Sequence, residues 1–159
     1  MIHFDLPTEK SSIIKVIGVG GGGSNAVNYM FNQHIEGVNF VICNTDAQAL
    51  AISGVPNRVQ LGPYLTQGLG AGANPDIGRQ ATEESLEEIR RILEVNTKMV
   101  FVTAGMGGGT GTGGAPIVAK ICKEMGILTV GIVTTPFAYE GKKRMQQADE
   151  GIKQLRQHV

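Results

Sequence analysis

From residue 13 onward the chain alternates between two hydrophobic patterns. Short runs rich in β-branched residues, at 13–19, 38–44, 58–61, 99–104 and 127–134, predict five strands. Between them lie helical stretches at 26–31, 47–52, 75–95 and 115–126. The third opens with Asn74 as N-cap and Pro75 at the first helical position. Ile77, Ala81, Leu86, Ile89, Ile92 and Leu93 give it an apolar face, and its Glu and Arg residues a solvated one. A last helix puts Met145, Ala148, Ile152 and Leu155 on one side. Strands alternating with helices predict a three-layer, doubly wound, mostly parallel α/β sheet of Rossmann-like type. In the order 3-2-1-4-5, strands one and four are neighbours at the switch point, where ligands bind outside the carboxyl ends.

Glycine sharpens that expectation. The chain holds 23 glycines in 159 residues, about twice the usual share of roughly 7%. Two segments take most of the excess. One, residues 105–114, follows strand four and contains Gly107, Gly108, Gly109, Thr110, Gly111 and Thr112. It reads as a loop, followed by a helix with Pro116 near its first turn. The other follows strand one and runs through Gly21, Gly22 and Gly23 to Ser24 and Asn25. Strand, glycine loop and helix start make an anion site, because loop amides and the orphan donors of the helix converge there. Neither segment ends in Gly-Lys-Ser/Thr, so a phosphate would be held by backbone and hydroxyls without a P-loop lysine. Two such loops facing one crevice suit a di- or triphosphate.

Further residues flank this crevice. A third segment, 68–74, includes Ala71, Gly72, Ala73 and Asn74 and reads either as a surface loop or as a lid reaching a terminal phosphate. Glu140 and Arg144 stand four apart just beyond strand five, which suits a surface ion pair or contacts to ribose and phosphate. Gly18, Gly20 and Gly23 also satisfy G-x-G-x-x-G, with Asp46 after the next strand. That fingerprint supports an alternative, the NAD-binding domain of an oxidoreductase. It leaves the second glycine segment unexplained, and neither a substrate domain nor a hydride-accepting site is apparent.

Charge and cysteine usage exclude other classes. Lys plus Arg and Asp plus Glu each total 14, which gives no pull toward nucleic acid or an anionic membrane. Cys43 and Cys122 sit in apolar segments without CxxC spacing and read as reduced core thiols of a cytoplasmic protein. His3, His34 and His158 are scattered and suggest no metal cluster. Residues 1–12 form a polar arm without a signal-peptide core, and no apolar run approaches the ~18 residues of a membrane span. One domain is expected over 13–159.

The segment 107–113 reads as a tubulin-family signature, and four more stretches (15–27, 44–50, 68–75 and 140–144) resemble the tubulin-like FtsZ family of bacterial cell-division GTPases. The resemblance implies GTP or GDP as ligand, with Mg²⁺ carried on the phosphates. It places phosphates at Gly21, Gly22, Gly23, Ser24 and Asn25 and at Gly109, Thr110 and Gly111, with Gly107, Gly108 and Thr112 as nucleotide contacts beside them. It places the γ-phosphate side at Ala71, Gly72, Ala73 and Asn74, the sugar region at Glu140 and Arg144, and further nucleotide contacts at Asn44 and Asp46. It implies head-to-tail filaments of the protein with itself, a cytoplasmic division ring at midcell, and ring partners reached through a tail. Family members continue past this chain into a further strand, a guanine-reading helix, a loop bearing catalytic carboxylates and a second domain. The chain therefore resembles the nucleotide-holding portion, truncated before the sheet's last strand, with no catalytic residue of its own.

Overall fold

The computed structural model describes residues 12–159, so the polar arm, but for Ser12, lies outside the described residues. Five strands form the sheet: β1 (Ile14–Val19), β2 (Asn39–Asn44), β3 (Asn57–Gln60), β4 (Met99–Gly105) and β5 (Leu128–Thr134). Among the described residues seven α-helices connect and cover them: α1 (Gly20–Asn32), α2 (Ala47–Ala51), α3 (Pro63–Thr66), α4 (Pro75–Glu84), α5 (Leu86–Glu94), α6 (Thr110–Glu124) and α7 (Lys142–Leu155). The order across the sheet is β3-β2-β1-β4-β5 and every pairing is parallel, as the alternation predicts. Val19 lies level with Cys43 on one side and Ala104 on the other, so the carboxyl ends of the three central strands form one rim.

Two apolar layers sandwich the sheet. Val16, Phe40 and Ile42 on one face bury against Val27, Leu50 and Val55, beneath α1 and α2. On the other face Ile17, Val19, Val41, Val100 and Val102 meet Ala81, Ile89, Leu93, Val118 and Leu155 from α4 to α7. Each fully buried aliphatic side chain contributes roughly 1.5–3 kcal/mol. Cys43 and Cys122 lie in this second layer as free thiols, and burial pushes both up to about 12. Coverage thins at the β5 edge, where Leu128 and Ile132 are 62% and 55% exposed.

Lys15 occupies an inward position on β1 and is 4% exposed. Its Nζ donates to the Val95 carbonyl at 2.7 Å and to Thr97 Oγ1 at 2.6 Å, which ties the end of α5 to the amino edge of the sheet. Burial holds its pKa below the usual lysine value.

Several boundaries differ from the sequence reading. Both glycine segments are partly helix: α1 begins at Gly20 and α6 at Thr110, so Pro116 lies inside α6 and not in its first turn. Packing outweighs glycine's entropic cost here. A β-carbon at Gly113 would stand 1.9 Å from the Pro75 carbonyl oxygen, so only glycine lets α6 pass this close to α4. The single helix expected over 75–95 is two, α4 and α5, broken at Ser85. Its hydroxyl accepts from the Gly62 amide and donates to the Gln60 carbonyl, both at 3.1 Å, and so pins the chain to the end of β3. Between β3 and the segment 68–74, α3 forms with its first donors satisfied by Glu84, whose carboxylate accepts from Tyr64 and Leu65 amides at 3.0 and 3.1 Å.

Candidate functional site

The helices that begin at the rim differ at their amino ends. Asp46 Oδ1 caps α2 by accepting from the Gln48 and Ala49 amides at 2.9 and 3.1 Å. Asn74 Oδ1 caps α4 by accepting from the Asp76 amide at 2.9 Å. By contrast α1 and α6 have no side-chain cap and no acid in the first turn. Their orphan N–H groups and positive dipole ends are left for something outside the helix.

These two helix starts abut. Gly20 has a φ of 74°, and a β-carbon there would lie 2.7 Å from the Gly111 amide nitrogen. A 360 Å³ cavity opens above them, lined among others by Gly21, Gly22, Gly108, Gly109, Thr110, Gly111, Glu140 and Arg144. Eight residues singled out from the sequence thus meet on one cavity wall. Arg144 Nη1 donates to Glu140 Oε1 at 3.3 Å, and Glu140 Oε2 accepts from the Phe137 amide at 2.7 Å. The two alternatives for this pair are compatible, since the ion pair forms and also faces the cavity.

The segment 68–74 crosses beside this floor. Its base is tied down by the Ala47 amide donating to the Gly68 carbonyl at 3.1 Å and by a bridge between Asp46 and Leu69. Ala71 and the Asn74 backbone close on Gly109, each 2.9 Å from where a side chain there would begin. A second space of 630 Å³ lies between Gly72, Ala73 and Asn74 on one wall and Lys143, Arg144 and Gln147 on the other.

Other sequence candidates lie behind these surfaces. Thr112 is buried and its Oγ1 accepts from the Gly107 amide at 2.8 Å, which braces the segment from within. Thr110 Oγ1 shares a 2.6 Å hydrogen bond with Thr45 Oγ1. Asn44 is buried at the end of β2, and its Oδ1 lies 3.4 Å from the Asp46 amide. Gly23 and Ser24 are buried within α1, the Ser24 hydroxyl without a hydrogen-bond partner among the described residues, while Asn25 is exposed. Gly107 packs against the Arg144 backbone. Sequence reasoning did not single out Gly105, Met106, Thr134, Thr135 and Pro136, which also form the cavity wall. The rule that ligands sit beyond strand ends pointed to the last three, because β5 ends at Thr134. No group of three or more His, Cys, Asp or Glu that could hold a metal occurs among the described residues.

A parallel sheet with two uncapped helix starts at its switch point defines a nucleotide-binding class of α/β domain. Within that class the chain belongs to the tubulin/FtsZ family: residues 13–159 match its GTPase domain. It is 61% identical over 150 residues to the cell division protein FtsZ of Pseudomonas putida, covering 94% of this chain and 37% of that relative. With FtsZ of Coxiella burnetii it shares 61% identity over 159 residues, 100% of this chain and 41% of the relative. Among solved structures, an FtsZ dimer from M. jannaschii, solved empty, superposes with a TM-score of 0.90 at 48% identity, covering 94% of this chain and 43% of that one. CetZ2 from Haloferax volcanii, a GTPγS-bound protofilament, gives 0.83 at 26% identity, covering 92% and 46%. The chain thus spans about two fifths of the length of these curated relatives. Family membership overturns the oxidoreductase alternative.

Proposed function

We propose that this chain is the nucleotide-holding portion of a GTPase that assembles head to tail and divides bacterial cells from a cytoplasmic ring at midcell. The observation that carries this reading is the pair of uncapped helix starts, α1 and α6, opening side by side into one cavity. The names of relatives support the rest: they are cell division proteins, and one related structure is a GTPγS-bound protofilament.

In this reading the amides of Gly21, Gly22 and residues 108–111 donate to phosphate oxygens, and both helix dipoles favour the negative charge. Thr110 and Thr112 keep the donor array fixed before ligand arrives, so little reorganisation is needed on binding. Arg144, steered by Glu140, reaches phosphate or sugar, and the remaining Glu140 oxygen capacity suits a ribose hydroxyl. Among the described residues the sole carboxylate on the cavity wall, Glu140, is engaged with Arg144 and the Phe137 amide. Mg²⁺ would therefore be held mainly by phosphate oxygens and water, where it neutralises charge on the β- and γ-phosphates.

The test is an equilibrium titration of the 159-residue chain with GTP, GDP, ATP and NADH, with and without Mg²⁺. Saturable binding of GTP and GDP is expected, with none of NADH. Binding of NADH alone, or of no nucleotide, would sink the reading.

A further inference from the structure

The first turn of α7 carries three cations in succession, Lys142, Lys143 and Arg144. They stand at the positive end of a helix dipole, where cations are disfavoured. Successive helical positions are turned about 100° apart, so the three cannot share one task. Arg144 is committed to Glu140 at 3.3 Å and leans toward the Gly107 carbonyl at 3.5 Å. Lys143 is different: it lines the 630 Å³ space opposite Gly72, Ala73 and Asn74, and no ion pair involves it among the described residues. Among the described residues no acid lines that space, and Lys142 does not line it.

This space continues the phosphate cavity. Arg144 lines both, and Gly109, on the floor of the first, is overhung by Asn74, which walls the second. A phosphate chain that starts over the first turns of α1 and α6 and extends toward residues 72–74 brings its last group between that loop and Lys143. An ammonium is a compact point charge that serves non-bridging phosphate oxygens without demanding bidentate geometry. Resting on the nucleotide reading above, we propose that Lys143 is a specificity-determining residue that favours a nucleoside triphosphate over the diphosphate by pairing with the terminal phosphate. It leaves the inner phosphates to the glycine amides and Arg144, and a bound triphosphate supplies the counter-charge that the first turn of α7 lacks.

The experiment is competition against a fluorescent GDP derivative on the whole chain. Competitors are GDP and a slowly hydrolysed GTP analogue, and the proteins are the unmodified chain, Lys143→Gln, Lys143→Arg and Lys142→Gln. Lys143→Gln is expected to weaken the triphosphate about five- to tenfold and the diphosphate less than about twofold. Lys143→Arg should recover most of the loss. Lys142→Gln removes the same charge one residue away and should leave the triphosphate-to-diphosphate ratio unchanged. A Lys143→Gln variant that weakens both nucleotides equally, or neither, overturns the inference and leaves the nucleotide reading standing. Failure of the unmodified chain to bind either nucleotide overturns both. Melting temperatures of the variants, expected to match the unmodified chain, separate a binding effect from misfolding.

Discussion

The first turns of α1 and α6 meet at Gly20 and Gly111, yet they are held in different ways. On the α6 side the protein fills the space around its small residues. Thr112 braces Gly107, Thr110 bonds Thr45, and Gly113 lies under the Pro75 carbonyl. On the α1 side Gly21 and Gly22 are exposed, and a β-carbon at Gly21 would meet nothing within 4 Å. Glycine therefore does two jobs at one site. In α6, and at Gly20, Gly22 and Gly23 of α1, it admits neighbouring backbone, which fixes the donors; at Gly21 it leaves room on the solvent side, where a ligand can approach.

Gly113→Ala should break the α6 side most severely. The new methyl would fall 1.9 Å from Pro75 O and 2.7 Å from Arg79 N, both backbone atoms of α4. A loss of about 3 kcal/mol is expected from urea denaturation midpoints, and unmodified stability would show that the two helices have slack between them. Thr112→Val leaves the buried Gly107 amide without its acceptor, at a cost of about 2 kcal/mol. Its nucleotide affinity should fall with it, because the donor array loosens; a change in stability alone would separate bracing from binding.

Alkaline pH tests the layer beneath α6. Cys43 and Cys122 hold their protons more tightly folded than unfolded, at about 12 against 9.0. The stability this contributes is complete below pH 9 and lost between there and about 12, at roughly 1 kcal/mol per thiol per pH unit. Lys15, with its lowered pKa, acts in the opposite direction. A Cys43→Ala, Cys122→Ala double variant cancels the lysine in comparison, and its denaturation midpoint should fall less steeply from pH 8 to 10 than that of the unmodified chain. Equal slopes would mean that the thiols titrate normally. The smallest expected change in stability, under about 0.5 kcal/mol, belongs to Gly21→Ala. In the nucleotide titration the same variant should bind at least about tenfold more weakly, from the methyl's bulk against the phosphates. A variant that binds normally would place the phosphates away from α1.

Strand count, order and switch point were legible in the sequence because β-branched runs and their alternation with helices depend on local composition. So was the meeting of the two glycine segments, which follows from the order of strands one and four. The helical state of residues 110–114 was not. Glycine propensity argues against it, and only the contact with α4, distant in sequence, reverses the preference. Ser85 was hidden for the same reason, since its partners Gln60 and Gly62 belong to another element. Asp46, which the fingerprint singles out after the second strand, also caps α2 through one carboxylate oxygen, a role that its spacing does not reveal. Lys143 escaped notice because a run of three cations does not reveal which of them faces a cavity.

The floor of the cavity is largely main chain, and this bears on how such a site can change over generations. An amide N–H is common to every residue but proline, so a point substitution cannot delete one chemically; it can only add bulk or shift the chain. An inhibitor that gripped those amides would meet few routes to resistance by loss of contact. Escape would have to come through steric intrusion, and the close packing on the α6 side leaves the protein little room to accommodate it.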